Sequence, residues 1–150
     1  MIETELTKLA LDIAEQAHEG QVDKSGKPYI LHPIHVAEKQ KDEVSTAVAL
    51  LHDVVEDSDW TFEDLLEAGI PEEVVHSLRY MTHEKYTPYM EYIENLAQDP
   101  VACRVKLADL EHNMDTSRMN RELTEREQKK QEKYAAAHEY LESFLPDRCD

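Results

Sequence analysis

An all-α helical domain is the fold this sequence predicts, and three observations carry that prediction. The 150 residues contain only three glycines, too few for the turns that hairpins and short strands demand. Apolar side chains recur every three or four positions along most of the chain, the period of a helix with one buried face. Capping residues, glycines and prolines then fall at the ends of those periodic stretches.

In chain order, Leu6, Leu9, Ala10, Ile13, Ala14 and Ala17 form a first stripe, with Gly20 just past it as a stop. Residues 20–31 read as a polar loop, and Pro33 suits the first turn of a short helix reaching about Lys39. Asp42 can cap a helix whose stripe is Val44, Ala47, Val48, Leu51, Val54 and Val55, taken as continuous through Asp57. Thr61 with Asp64 makes a capping-box pattern for a short helix closed by Gly69. Pro71 opens the next, with Val74, Val75, Leu78 and Met81 inward. Pro88 precedes a helix from Tyr89 to Asp99, and Pro100 starts one carrying Val101, Val105, Leu107, Ala108 and Leu110. The last spans about Thr124 to Phe144, with Tyr134, Ala135, His138, Leu141 and Leu145 on its inner face. No repeat, low-complexity tract or linker divides the chain, so residues 1–150 are expected to form one domain.

Asp and Glu number 33 against 16 Lys and Arg, a formal net charge of −17. That balance argues against a nucleic acid polymer or an anionic membrane surface as partner, since both are held by basic faces. The amphipathic, acidic start lacks the basic, apolar build of a signal peptide, and no run approaches the ~20 apolar residues of a spanning helix. Cys103 and Cys149 read as thiols of a reducing compartment. A cytoplasmic domain is expected.

The chemistry concentrates in Leu50-Leu51-His52-Asp53-Val54-Val55-Glu56-Asp57, where four ionisable groups sit inside the most apolar helix. At helical spacing His52 and Glu56, like Asp53 and Asp57, share a side of the helix. Three carboxylates this close repel one another, and a divalent cation that accepts both imidazole and carboxylate resolves the conflict. His32, at a helix start, and Asp109, a lone carboxylate in Val105-Lys106-Leu107-Ala108-Asp109, complete a set of two imidazoles and two carboxylates from three helices. Such mixed nitrogen and oxygen donors suit Mn, Fe, Ni or Zn better than Ca. Lys24 in the loop with Gly26 is a phosphate contact in this reading, and Lys106 either assists or pairs with Asp109. Among the other histidines, His18 reads as core or capping, His35 as a neighbour of the ligands and His112 as a support for Asp109 or as packing beneath the site. His76, His83 and His138 read as structural or exposed. Tyr29, Tyr89 and Tyr92 read as core or rim fillers.

Four blocks in order strengthen this picture: His18-Glu-Gly-Gln21, Lys24-Ser-Gly-Lys-Pro-Tyr-Ile-Leu-His32-Pro33, the stretch from Leu50 to Asp57, and Lys106-Leu-Ala-Asp109-Leu-Glu-His-Asn113-Met114. Together they resemble the HD-domain phosphohydrolase superfamily, and within it the hydrolase domain of RelA/SpoT enzymes and the small stand-alone alarmone hydrolases. The resemblance implies a helical bundle with a single Mn2+ site formed by His32, His52, Asp53 and Asp109. It implies removal of the 3′-pyrophosphate of (p)ppGpp, with Glu56 and Asp57 serving the attacking water. It also implies substrate contacts at Lys24, Ser25, Asn113, Thr116 and Tyr134. From the chemistry, Glu56 acts as base or water-orienting group, and Asp57 fixes the same water or hands a proton onward. Their crowding should raise one of the two pKa values.

Two departures concern the base pocket. Where the family usually has basic residues before Lys24, here stand Val22 and Asp23, and Leu110-Glu111 follow Asp109 in place of arginine. An aspartate cannot stack on a base as a guanidinium does. Another nucleotide is therefore an alternative substrate, and a metal-containing, non-catalytic nucleotide-binding module is the reading from a different class. Synthetase activity is not expected from a chain of this length.

Overall fold

The computed structural model describes residues 1–117, 119 and 121–144, so the expectations for Leu145 and Cys149 lie outside the described residues. Among these residues the regular elements are helices: α1 (Glu5–Ala17), α2 (Leu31–Glu38), α3 (Glu43–Leu51), α4 (Val54–Asp57), α5 (Phe62–Ala68), α6 (Glu72–Met81), α7 (Tyr89–Leu96), α8 (Pro100–Met114) and α9 (Glu125–Glu142). One isolated bridge, Val22 with Pro28, pinches the loop between α1 and α2. The predicted all-α class is what the chain adopts.

Local signals set most helix ends. Thr61 and Thr124 close capping boxes with Asp64 and Glu127, satisfying amide groups that a helix start leaves unpaired. Gly69 ends α5 at φ 109°, a left-handed conformation that a side chain would strain. Pro100 opens α8 behind the Asp99 cap, and Asp99 thereby ends the preceding segment, so α7 stops at Leu96 rather than running to Asp99. On α9 the buried residues are Ala137 and Leu141, while Ala135, expected inward, is exposed. Tyr134, His138 and Leu141 keep the expected face, and Ala137 takes the inward place at the edge of the stripe where Ala135 was expected.

α3 is the hub. Every residue from Ser45 to Leu51 is buried, and the helix packs against α1, α2, α6 and α8. Leu50 is fully buried, worth roughly 1.5–3 kcal/mol for a side chain of this kind. α9 lies across α8 and α7 on the opposite side. No helix among the described residues is long and apolar enough to cross a membrane.

Asp42 fixes the start of the hub: Oδ1 accepts from Ser45 N at 2.8 Å, and Oδ2 accepts from Ser45 Oγ at 3.1 Å and from Arg104 at 3.3 Å. Asp42→Ala is expected to cost about 1–2 kcal/mol in urea unfolding, with the dependence on denaturant unchanged.

The sequence expectation fails at one informative place. The helix from Asp42 does not run through Asp57. It ends at Leu51, turns at His52 and Asp53, and restarts as α4. His52 Nδ1 hydrogen-bonds the Ala49 carbonyl at 2.5 Å, a local side-chain bond of the kind that competes with the helical ladder. On one continuous helix, adjacent residues would point about 100° apart. The turn instead lets His52 and Asp53 aim at the same point.

Candidate metal centre and active-site cavity

The first turn of α2 supplies His32, the turn between α3 and α4 supplies His52 and Asp53, and the middle of α8 supplies Asp109. Their donor atoms all lie within 4.8 Å of one another. Asp109 Oδ1 is 2.8 Å from His32 Nε2 and 3.2 Å from His52 Nε2, and Asp53 Oδ2 is 3.1 Å from His52 Nε2. His32, His52 and Asp109 are buried.

Each of the four residues is braced by a further contact. The Lys106 ammonium takes Asp109 Oδ2 at 3.0 Å, which leaves Oδ1 turned towards the imidazoles. The Tyr29 hydroxyl donates to Asp53 Oδ2 at 2.5 Å. His52 Nδ1 is on the Ala49 carbonyl, and His32 Nδ1 meets His112 Nδ1 at 2.7 Å. Such bracing fixes tautomer and ring orientation in metal sites.

The electrostatics agree. Burial opposes charge on His52, yet the Asp53 and Asp109 carboxylates hold it well above the ordinary imidazole value. Burial likewise opposes charge on Asp109, but Lys106 and the hydrogen bonds from His32 and His52 keep its carboxyl far below the usual range. Two ionised carboxylates thus demand positive charge at the point they share. A divalent cation there provides it with both imidazoles neutral, so the donor set fits a transition ion.

His52, Asp53 and Asp109 of this cluster line a cavity of about 580 Å³. Glu56 and Asp57 stand on its wall. Glu56 Oε1 accepts the His83 amide at 2.5 Å. Partial loss of hydration raises both carboxyls; for Glu56 the neighbouring Asp53 and Asp57 add to this, and for Asp57 the charge of Asp53 does. Gln21 donates to the Asp57 carbonyl at 2.9 Å and receives His18 Nδ1 at 2.9 Å, tying the end of α4 to the end of α1.

Of the expected substrate contacts, Lys24, Ser25, Asn113 and Tyr134 line the cavity. Lys24 Nζ lies 3.5 Å from Glu127, and Asn113 donates to Asp109 Oδ1 at 3.2 Å. Thr116, beyond the end of α8, is not among the lining residues. Asp23 accepts from the amides of Ser25 and Lys27 at 2.8 and 3.0 Å, so its carboxylate orders its own loop.

The sequence reading understated two residues: Tyr29, read as core or rim filler, braces Asp53, and His83, read as structural or exposed, supplies the amide that holds Glu56. His112 packs beneath the site, as one of its two readings had it, with its Nδ1 on His32. Tyr29 had one signal, its place one turn before His32.

The sequence model of the HD domain family matches residues 10–141. This chain belongs to the HD domain family. The HD domain is 37% identical over 118 residues to a guanosine-3′,5′-bis(diphosphate) 3′-pyrophosphohydrolase of Haemophilus influenzae, covering 69% of this chain and 17% of that protein. It is 35% identical over 152 aligned positions to a GTP pyrophosphokinase of Streptomyces coelicolor, covering 91% and 17%. The chain therefore spans about one-sixth of the length of these curated relatives. Among solved structures, a metazoan ortholog of SpoT that hydrolyses ppGpp superposes with a TM-score of 0.73 at 26% identity, covering 99% of this chain and 98% of that one.

Proposed function

We propose that this HD domain, acting in the cytoplasm with residues 1–150 as one domain, hydrolyses the 3′-pyrophosphate of (p)ppGpp. The observation that carries the reading is the convergence of His32, His52, Asp53 and Asp109 beneath a cavity walled by Glu56 and Asp57. The kinship with a ppGpp-hydrolysing protein over nearly the whole chain supports the substrate. Mn2+ is the proposed ion. Bound by the four donors, it would supply Lewis acidity towards a phosphoryl oxygen and a lowered pKa for a water.

The chain's own residues do the rest. Glu56, oriented by the His83 amide, takes the proton of the attacking water, and Asp57 holds that water or passes the proton on. Water oxygen bonds to the phosphorus attached to the ribose 3′ oxygen, the P–O3′ bond breaks, and the 3′ oxygen regains a proton. Lys24, Ser25, Asn113 and Tyr134 contact the nucleotide, and Thr116 is given no role. Incubating the protein with Mn2+ and ppGpp is expected to release GDP and pyrophosphate. The absence of both products overturns the alarmone reading.

A second reading keeps the hydrolase and changes the nucleotide. It rests on Asp23, which places a carboxylate rather than a guanidinium at the edge of the cavity. A panel of nucleotide phosphates decides between the two by the highest kcat/KM. Binding without turnover, unaffected by Glu56→Ala, would instead favour a non-catalytic module.

A further inference from the structure

Behind the proposed metal ligand His32 lies a second imidazole. His112 sits on α8, one turn past Asp109, so the helix that brings one ligand also brings the residue behind another. The two rings lie 14° from parallel with centroids 4.9 Å apart, while their Nδ1 atoms are 2.7 Å apart. Nitrogens that close, at that centroid separation, mean rings meeting edge to edge, with an N–H of one in the plane of the other's lone pair. The other face of the arrangement is a true stack: the His35 ring lies over His112 at 4.0 Å and 21°. Both His32 and His112 are buried.

Proton accounting then assigns the direction of this bond. A histidine that gives its Nε2 lone pair to a metal carries its proton on Nδ1. His32 Nε2 is the atom facing Asp109 and Asp53, at 2.8 and 3.9 Å, so its Nδ1 must donate. The acceptor at 2.7 Å is His112 Nδ1, which therefore holds a lone pair, with the His112 proton on Nε2. His52 solves the same problem with a backbone carbonyl, which can only accept. At His32 the acceptor is a side chain, and it can be removed.

We infer that His112 is a positioning residue that fixes the metal-binding tautomer of His32, with the His35 ring holding His112 in plane. The inference rests on the divalent-metal reading of the four-donor cluster.

The experiment compares wild type with His112→Phe and His112→Asn as full chains. Phenylalanine keeps the ring and its stack on His35 but offers no acceptor. Asparagine keeps an acceptor oxygen near the position of Nδ1. Chelator competition with Mn2+ and Zn2+ is expected to show affinity reduced about 10- to 100-fold in His112→Phe, the usual effect of losing such a partner, and within about threefold of wild type in His112→Asn. Long-range 1H–15N spectra of the Zn2+-loaded wild type are expected to place the His32 proton on Nδ1 and the His112 proton on Nε2. Circular dichroism of the metal-stripped variants checks folding. The wild-type spectrum gives an answer even where the phenylalanine variant does not fold. Equal affinities in wild type and His112→Phe, equal losses in both variants, or a Zn2+-loaded His32 protonated on Nε2 overturn the inference alone. A wild type that takes up neither metal overturns the metal reading, and the inference with it.

Discussion

Asp109→Asn is expected to abolish metal retention and hydrolysis and to destabilise the protein as well. Asp109 is where three demands meet: Oδ1 faces His32 and His52, and Oδ2 holds Lys106 at 3.0 Å. The amide has the same shape but no charge, so the shared point loses one of its two carboxylates. Metal affinity should fall by more than the 10- to 100-fold typical of a change one layer further out. The Lys106 side chain is 13% exposed and would be left buried without its carboxylate, a loss of about 3–5 kcal/mol for pairs of this kind. Urea unfolding of metal-stripped protein reads that second effect separately from the first. Adding Lys106→Met should recover most of the stability and none of the metal binding, because it removes the stranded charge without restoring a ligand. The pairing also has a pH signature. Asp109 has its carboxyl depressed, so its stabilising contribution is complete above the ordinary carboxylate pKa. That contribution fades only as pH falls through the depressed folded value. Stoichiometric Mn2+ in purified Asp109→Asn would contradict the assignment of the centre.

The residues that failed to show their roles in the sequence share a physical cause. Helix ends were readable because caps act within three or four residues: Thr61 with Asp64, Thr124 with Glu127, Asp42 with Ser45. The convergence of His32, His52, Asp53 and Asp109 was readable because an ionisable group in an apolar stretch is anomalous wherever it occurs, and Asp109 and His52 lie in such stretches. The turn at His52 was not. Leu51, Val54 and Val55 continue the apolar stripe across it without glycine or proline, and the interruption comes from one imidazole on the Ala49 carbonyl. Tyr29 and Asp53 are 24 residues apart, and His32 and His112 are 80 apart, so their pairing depends on how α2, α3 and α8 pack. A tyrosine hydroxyl and a second histidine carry no mark in sequence that separates a brace from a filler. Thr116 and Asp23 show the same limit: Thr116, a substrate contact that the resemblance implies, is not among the residues lining the cavity, and Asp23, at the cavity edge, orders its own loop.

Glu56→Gln is expected to lower kcat by about 10²–10⁴-fold while leaving metal content unchanged, the range for loss of a general base. Glu56 is not among the four converging donors, and its Oε1 is fixed by the His83 amide, which glutamine's carbonyl oxygen can also accept. Position is therefore kept and only proton affinity is removed. The pH profile separates this from a packing defect. A base must be deprotonated to act, so kcat/KM in wild type rises with pH as Glu56 ionises. Loss of hydration raises its pKa, Asp53 and Asp57 raise it further, and the His83 amide and Lys106 pull it down. The net shift is upward, so the acidic limb should lie above the ordinary glutamate value, and it should vanish in Glu56→Gln. Asp57→Asn removes one of the like charges and should move the limb to lower pH, since ionising Glu56 then meets less repulsion. Because the two carboxylates interact, the wild-type midpoint belongs to the pair, and the Asp57→Asn profile isolates the share due to Glu56. A Glu56→Gln enzyme that keeps its full kcat, or keeps the acidic limb in place, would remove Glu56 from the reaction and leave Asp57 as the sole carboxylate beside the attacking water.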